Sequence, residues 1–570
     1  MLRTILKITG TIGLLFLLER AAWPDVLPGS ALPEQVSQSL SESPQSPQKA
    51  SPIPVTAPAE APTQLGEEAQ KITFQFNGMI LEGNRIYPTR VLQLLYKDKL
   101  KKTISVADLL NIVQSITNFY RNNGYILSRA ILPPQHVKDG IVHVLIVEGT
   151  IDQVDVSGHP KGAKCLIHAY GNKIKEHPPL QIKQMEKYLL LANEIPSTQV
   201  KAVLSPSQKK QGAADLTLVA ENKQATGYVS YDNYGTRYIG PQQMTGNVGL
   251  HSFVASGDAA QFTYTKTPKG RELTYSDLNY NLPIREEGTR LLIGITRAET
   301  HPQFTLRVSQ IDGLSKNYYA HLQVPMIRKR DENLTLQTSF NYMDSDVKTL
   351  NERLYIDHLR SLGLSAIYNF ADRWYGANLI TATVRQGLPI LGYTYNTNTT
   401  ALTSRPGGWG KYLKAVLQTS RLQAVRGPMS IYGALNGQWA FQPLLSSEQF
   451  TFGGSQLGRG YDVAEIIGDK GMSGSLELRF DLPIEKLLLK RIQPYVFYDA
   501  GMIWNIKSSA DTPQRDSGTS MGFGTRFFLT KYVSGNLMWT KVLTKKVAAE
   551  GLIGDGFRPR VFFSLVAMVD

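Results

Sequence analysis

The residue types best suited to a fixed charge contact stand in two short segments. Residues 437–462, GQWAFQPLLSSEQFTFGGSQLGRGYD, end in a Gly-rich loop that carries one arginine, Arg459. Residues 495–504, YVFYDAGMIW, alternate as a strand does and hold one acid, Asp499, in their middle. Every second side chain of a strand shares a face, so Phe497, Asp499 and Gly501 point the same way. A guanidinium presents a planar fork of donors that matches a carboxylate. An arginine on a loop and an acid on a strand wall point to a loop folded back into a barrel and held there by an ion pair. Gly453, Gly454, Gly458 and Gly460 would let the loop turn tightly and pass close to that wall, with Tyr461 directly after them.

Nothing else points to catalysis. Gly518-Thr519-Ser520-Met521-Gly522 matches the Gly-x-Ser-x-Gly elbow of serine hydrolases, but an elbow joins a strand to a helix. Here the run MGFGTRFFL continues as strand. The nine histidines show no HExxH or clustered Cys/His spacing, so no catalytic, metal or cofactor site is expected. The single cysteine, Cys165, excludes an intramolecular disulfide and reads as a small buried hydrophobe. The net charge is +14, yet the basic residues are dispersed. The densest group, Arg328-Lys329-Arg330, stands at a predicted turn beside Asp331 and Glu332. That is a solvated turn, and no nucleic-acid partner is expected.

The elements that must position these residues begin with an export signal. Arg3 and Lys7 precede an apolar run, Ile8–Leu18, closed by Glu19 and Arg20. It is too short to span a bilayer as a helix and fits a secretory leader within residues 1–31. Cleavage after Ala22 or at Gly29-Ser30-Ala31 both stay open. Only 42% of residues are hydrophobic and mean hydropathy is −0.20. An exported chain of that kind is soluble or a β-barrel, because alternating barrel strands escape a hydropathy scan. Residues 32–70 form a Pro/Ser-rich linker, in which Pro33, Val36 and Leu40 suit a short helix at 32–42.

Residues 71–149 have a β-α-α-β-β rhythm. Ser105 and Asp108 make a capping box, and Leu109, Ile112, Val113, Ile116 and Tyr120 an apolar stripe. Strands are predicted at YILSRAIL and IVHVLIVEG. Residues 150–223 repeat the theme, with a helix near Ile182–Leu191. From 224 to 570 the helical signals vanish and alternating segments recur. In SLELRFDL, Leu476, Leu478, Phe480 and Leu482 oppose Ser475, Glu477, Arg479 and Asp481. Sixteen such strands are predicted, at roughly 22 residues per strand and turn, an even number as bacterial barrels require. Aromatic residues near strand ends, Tyr228, Tyr264, Tyr280, Trp374, Trp439, Trp504 and Trp539, suit interfacial girdles.

With these motifs in place the chain resembles a known family. YRNNGYILSRAILPPQHVKDGIVHVLIVEGTI is similar to the first polypeptide-transport-associated (POTRA) domain of two-partner secretion transporters, the exporters of filamentous haemagglutinins, haemolysins and contact-dependent toxins. NEIPSTQVKAVLSPS and GAADLTLVAEN resemble the second. GGSQLGRGYD resembles the family's Arg-Gly-aromatic loop, and VFYDAGMIW its Phe-x-Asp-x-Gly strand. Three departures stand out: Gly458 before the arginine, Ser197 after Pro196, and an end on VFFSLVAMVD without a terminal aromatic.

The resemblance implies a mixed fold: two small α+β POTRA domains, at 71–149 and 150–223, followed by a sixteen-stranded antiparallel transmembrane barrel at 224–570. Loop 443–470, between the eleventh and twelfth strands, would fold inward as the translocation loop (Gly453, Gly454, Arg459, Gly460, Tyr461). Its barrel-wall partners would be Phe497, Asp499 and Gly501. The implied function is capture of an unfolded, β-helical exoprotein by the POTRA domains and its passage through the barrel to the surface of a Gram-negative outer membrane. The partners would be that exoprotein, outer-membrane lipid and, for insertion, the barrel assembly machinery. No Walker A motif is present, so folding of the cargo outside would supply the drive. The alternative within the same superfamily is an insertase that assembles other outer-membrane proteins.

Overall fold

The computed structural model describes residues 27–41, 47, 55–56, 68–268, 270–395, 402–486, 488–507 and 513–569. The apolar core of the leader and most of the 32–70 linker lie outside these residues.

The first small unit folds on its hydrophobic stripe. Helix Val106–Asn122 is capped as its sequence predicts: the Asp108 N–H donates to Ser105 Oγ at 3.0 Å, and the Ser105 N–H to Asp108 Oδ2 at 3.2 Å. Leu109, Ile112, Val113, Ile116 and Tyr120 are buried against a three-stranded sheet, Gly78–Glu82, Ile141–Val147 and Arg129–Ile131. Only Arg129–Ile131 of YILSRAIL is a strand. In the second unit Ala213–Asn222 lies between Thr198–Pro206, antiparallel, and Thr150–His159, parallel. Two helices, Lys164–Lys175 and Ile182–Asn193, cover that sheet. The first of them is not predicted from the sequence. Its apolar positions Ile167, Tyr170 and Ile174 are diluted by His168, Asn172 and Lys173, and Gly171 weakens the helix signal. That glycine packs against Val154 and Leu218 of the sheet. Cys165, expected inside, is exposed at the start of this helix.

The remainder is a closed barrel of antiparallel strands. We number them β1 (Ala225–Asp232), β2 (Gln243–His251), β3 (Ala259–Lys266), β4 (Leu273–Pro283), β5 (Arg290–Thr300) and β6 (Ile311–Arg328). Next come β7 (Glu332–Thr349), β8 (Glu352–Ala371), β9 (Gly376–Gly387), β10 (Leu413–Arg426) and β11 (Met429–Ala440). The last are β12 (Lys470–Phe480, continued by Leu482–Lys486), β13 (Leu489–Trp504), β14 (Arg515–Phe528), β15 (Val533–Val542) and β16 (Arg560–Val569). The barrel closes where β1 meets β16, Gly227↔Val569 to Asp232↔Ser564.

Period-two alternation sorts the side chains. Val248, Leu278, Ile293, Leu364, Leu435 and Leu476 are exposed on the outside, while Asn247, Asp277, Asn279, Thr296 and Asn436 line interior chambers. Trp374, Trp439 and Tyr264 are exposed, but Tyr228, expected in a girdle, lines the lumen instead. β7 and β8 span 18 and 20 residues. Val347 and Tyr355, towards their far ends, are buried in the cluster around the helix that enters the barrel.

That helix is α1, Pro33–Ser41. The chain is already packed from Leu27, so residues 27–31, assigned to the leader by sequence, belong to the barrel interior: Leu27, Ala31, Leu32 and Val36 join Tyr238, Tyr275 and Val347 in one cluster. The second small unit docks on the near end of the barrel. Leu166 N–H donates to Ser256 Oγ at 3.0 Å, and Arg328 pairs with Glu194 at 2.9 Å. Arg328 is thus a docking residue and not part of a solvated turn.

Burial on two sides of one strand is testable. Val248→Arg, on the apolar outside, is expected to destabilise the barrel by about 2–4 kcal/mol. Asn247→Arg, on the polar inside, is expected to cost less. Urea unfolding of the protein in lipid vesicles measures both.

Candidate functional site

The connection from β11 to β12 does not extend away from the barrel. It descends into the lumen as a hairpin, Phe450–Phe452 paired antiparallel with Ile466–Gly468. Asp469 fixes its base. This wholly buried carboxylate accepts the N–H groups of Leu444 and Ile506, each at 2.8 Å, and pairs with Arg405 from the β9–β10 connection. On the other arm Glu448 pairs with Lys414 of β10 at 2.9 Å. Below the hairpin the chain reverses through Gly453 and Gly454, whose φ of 122° and 116° L-residues rarely adopt. Phe452 lies flat on Gly501 of β13, where an added Cβ would sit 2.3 Å from the ring.

Arg459 is at the tip and only 5% exposed. Its backbone N–H and Nε both donate to Asp499 Oδ2, at 2.9 and 3.0 Å, and Nη2 donates to Oδ1 at 2.9 Å. Nη2 also donates to Ser475 Oγ at 2.8 Å, and Nη1 to Glu477 Oε2. The guanidinium lies over the Phe497 ring, 3.6 Å from its centroid. All three predicted wall residues therefore meet the loop: Phe497 under the cation, Asp499 at its fork and Gly501 beneath Phe452.

The neighbours of Arg459 complete the lock. The Gly460 N–H donates to Ser520 Oγ at 3.3 Å and its carbonyl accepts from Arg560 at 3.3 Å. The Tyr461 hydroxyl donates to the Thr519 carbonyl at 3.1 Å, and Asp462 pairs with Arg560 at 2.7 Å. Ser520, the centre of the hydrolase-like motif, is a buried residue within strand β14. It receives the loop backbone and opens no helix.

Glu477 is the residue that reasoning from motifs missed. It is almost fully buried and accepts from Arg459, from Arg479 Nε at 2.7 Å and from Arg526 Nη1 at 2.7 Å. Arg526 in turn covers the Tyr495 ring at 4.1 Å. The signal was present in SLELRFDL, where Ser475, Glu477 and Arg479 share the polar face. Nothing in the sequence marks Arg405, Arg526 or Arg560 as partners.

The second obstruction is α1. Glu34 accepts from the Ser345 hydroxyl at 2.8 Å and from Tyr355 at 2.9 Å, and Gln35 donates to the Ser446 carbonyl at the loop base. Glu34 makes no ion pair among the described residues. The helix and the loop tip leave two chambers of about 590 and 620 Å³, with Ser41 on both and Gln456 and Leu457 of the tip on the second. Their linings are mainly neutral and polar, with Asn, Gln, Ser and Thr prominent. Among the described residues no cluster of His, Cys, Asp and Glu is arranged to hold a metal ion.

The chain is similar to known proteins in sequence and in fold. Residues 212–526 match the family model described as haemolysin secretion/activation protein ShlB/FhaC/HecB, and residues 74–149 match the POTRA domain, ShlB-type. The chain is 24% identical over 461 residues to the heme/hemopexin transporter protein HuxB of Haemophilus influenzae strain 86-028NP, covering 78% of this chain and 79% of that protein. It is 23% identical to the outer membrane transporter CdiB of Dickeya dadantii, covering 74% and 75%. Its fold is similar to the structure of CdiB from Escherichia coli, with a TM-score of 0.72 at 17% identity, covering 95% of this chain and 99% of that one.

Removing one partner from a buried, paired network leaves an uncompensated charge. Arg459→Ala is expected to cost about 3–5 kcal/mol, and Arg459→Lys to recover little of it because one ammonium cannot fill the fork. Protease sensitivity of the loop tip and chemical unfolding read both. Glu34→Gln is expected to keep α1 in place, since an amide oxygen accepts from the same hydroxyls, whereas Glu34→Ala loosens it. Spin-label distances between α1 and β8 measure that.

Proposed function

The chain belongs to the haemolysin secretion/activation family, the outer-membrane transporters of two-partner secretion, and on that premise we propose how its parts divide the work. The protein resides in the outer membrane with its POTRA domains in the periplasm. Its partner is a secreted exoprotein. We read that cargo as β-helical and held unfolded, of adhesin, haemolysin or contact-dependent toxin type, captured by the small domains and threaded through the lumen. The barrel lies in outer-membrane lipid and is inserted by the barrel assembly machinery. The reading assigns no enzymatic step, no cofactor and no nucleic-acid partner.

The observation that carries this reading is the double obstruction of a polar lumen. A passive pore gains nothing from a helix and a loop that fill it. A channel for an extended chain needs both a wall that hydrogen-bonds backbone in passing and a seal when idle. The neutral Asn, Gln, Ser and Thr lining supports the first need, since it offers weak, replaceable partners. α1 and the Arg459 loop support the second. In this reading Gly453, Gly454, Arg459, Gly460 and Tyr461 form the translocation loop. Phe497, Asp499 and Gly501 are its seat, clamping barrel shape at rest and releasing the tip during passage.

The family's cargo is encoded separately, so the test is surface export of a candidate β-helical partner from cells carrying wild-type protein, Arg459→Ala or a deletion of residues 71–223, with barrel insertion followed in parallel. Export is expected to vanish in both variants while barrels still insert. Continued export without this protein, together with failed assembly of other outer-membrane barrels, would replace the transporter reading with an insertase.

A further inference from the structure

The outward side chains of β4 to β8 change character abruptly from one row of the ladder to the next. One row reads Leu278, Ile295, Tyr318 and Tyr342, each directly opposite the next. The row above it, one outward position nearer the far end, reads Ser276, Arg297, Lys316 and Asp344. Apolar wall therefore gives way to charge within a single step. Lys316 stands twelve residues along β6 from Arg328, which docks the second small unit at the near end. With a rise of about 3.4 Å per residue and a tilt of about 40°, that is about 30 Å of height, just past an apolar band about 25 Å tall. The small units are periplasmic, so this boundary is the one with the outer leaflet.

The charges at the boundary are unevenly matched. Arg297 and Lys316 oppose one another directly, and like charges so placed repel. Arg297 is half-exposed and reaches Glu299 with Nε at 2.7 Å. Asp344 flanks Lys316 on its other side, but it is held by Arg360 at 2.9 Å and His358 at 2.7 Å. Asp346 pairs with Arg353 at 3.2 Å. Each acid of the patch is thus engaged by an arginine. Lys316, only partly exposed, makes no ion pair or hydrogen bond among the described residues. An anion seated between Arg297 and Lys316 would relieve their repulsion.

Directly beneath this pair the wall is indented. The small side chain of Ala320 leaves room among Ile293, Tyr318, Phe340 and Tyr342, and the outer face there holds a groove of about 510 Å³. Its aromatic walls stand at the level where amphipathic rings suit a membrane boundary. A lysine above such a wall lays its stem along the apolar surface and keeps its ammonium at the headgroups.

We propose that Arg297 and Lys316 bind a phosphate of an outer-leaflet glycolipid of lipid A type, phosphorylated and acylated, with one acyl chain lying in the groove at Ala320. The occupant follows from position and charge complementarity: two cations at the outer boundary of a Gram-negative outer membrane, set over an apolar slot already in hydrocarbon. The inference rests on the barrel's place in that membrane and on no property of the cargo.

The probe is fluorescent lipid A titrated into the full-length protein in detergent and read by anisotropy, with unlabelled lipid A, its dephosphorylated form and phosphatidylglycerol as competitors. Arg297→Gln with Lys316→Gln removes both charges and keeps most of their stems. Each cation near anionic headgroups contributes about fivefold, so the pair is expected to weaken binding more than about tenfold. Ala320→Trp, which fills the groove, is expected to weaken it several-fold. Lys541→Gln is the control: this exposed lysine lies on the outside of β15 near the same end, between the buried Thr540 and Val542, and is expected to leave binding unchanged. Heat-dependent gel mobility verifies that every barrel is closed. Wild-type affinity in the double variant overturns the proposal, as does equal weakening by Lys541→Gln, which marks attraction to any surface cation. Equal competition by dephosphorylated lipid A or by phosphatidylglycerol also overturns it, since the groove then selects neither the phosphate nor the glycolipid.

Discussion

A guanidinium taken out of water must find its lost hydrogen bonds and counter-charge in the protein, and the interior of this barrel is arranged to supply them to Arg459. Its side chain and backbone N–H engage Asp499, Ser475 and Glu477. These acceptors converge only if β12 and β13 hold the register Ser475↔Asp499 and Glu477↔Phe497. The arginine reaches them only if the hairpin above it forms and Asp469 fixes its base. The loop, the wall and the neighbouring connection from β9 to β10 are thus consequences of one desolvated cation.

The network is asymmetric in a way that bears on release. Glu477 serves three arginines, so when Arg459 leaves it keeps Arg479 and Arg526. Asp499 has Arg459 as its one ion-pair partner among the described residues. Lifting the loop therefore strands one buried carboxylate and not two.

The helix is held by a softer set of contacts. Glu34 faces two hydroxyls, and the carbonyls of Ser30 and Ala31 accept from Thr236 at 3.2 Å and Thr300 at 3.5 Å. Hydrogen bonds between neutral groups contribute about 0.5–1.5 kcal/mol each and those to a charged carboxylate about 1.5–3 kcal/mol, against several kcal/mol for breaking a buried charge pair. Moving α1 would also expose the apolar cluster that Leu27, Ala31, Leu32 and Val36 form with Tyr238, Tyr275 and Val347. The two obstructions thus differ in kind, the helix held by apolar burial and hydroxyl hydrogen bonds and the loop by buried ion pairs.

Much of this was legible in the sequence. Alternation in SLELRFDL and YVFYDAGMIW reports which residues face water and which face hydrocarbon, because a membrane barrel leaves no third environment. The strand number and the pairing of Arg459 with Asp499 follow from such local patterns and from two spaced motifs. The capping box at Ser105 and Asp108 is equally local. What stayed hidden depends on contacts between distant residues. Arg405 meeting Asp469, Arg560 meeting Asp462 and Arg526 meeting Glu477 join strands and loops that are far apart in the chain, and each arginine reads alone as an ordinary charged residue. The packing of Leu27–Ala31 inside the lumen reads in sequence as the end of a leader. Val55–Thr56, which pairs with Ala202 and Val203 of the second unit, has too few residues to register as a strand until a sheet edge lies beside it. Periodicity along one segment determines how that segment meets its solvent; which charges pair, and which short segment fills an edge or a pore, is decided only when the closed barrel brings the partners within reach.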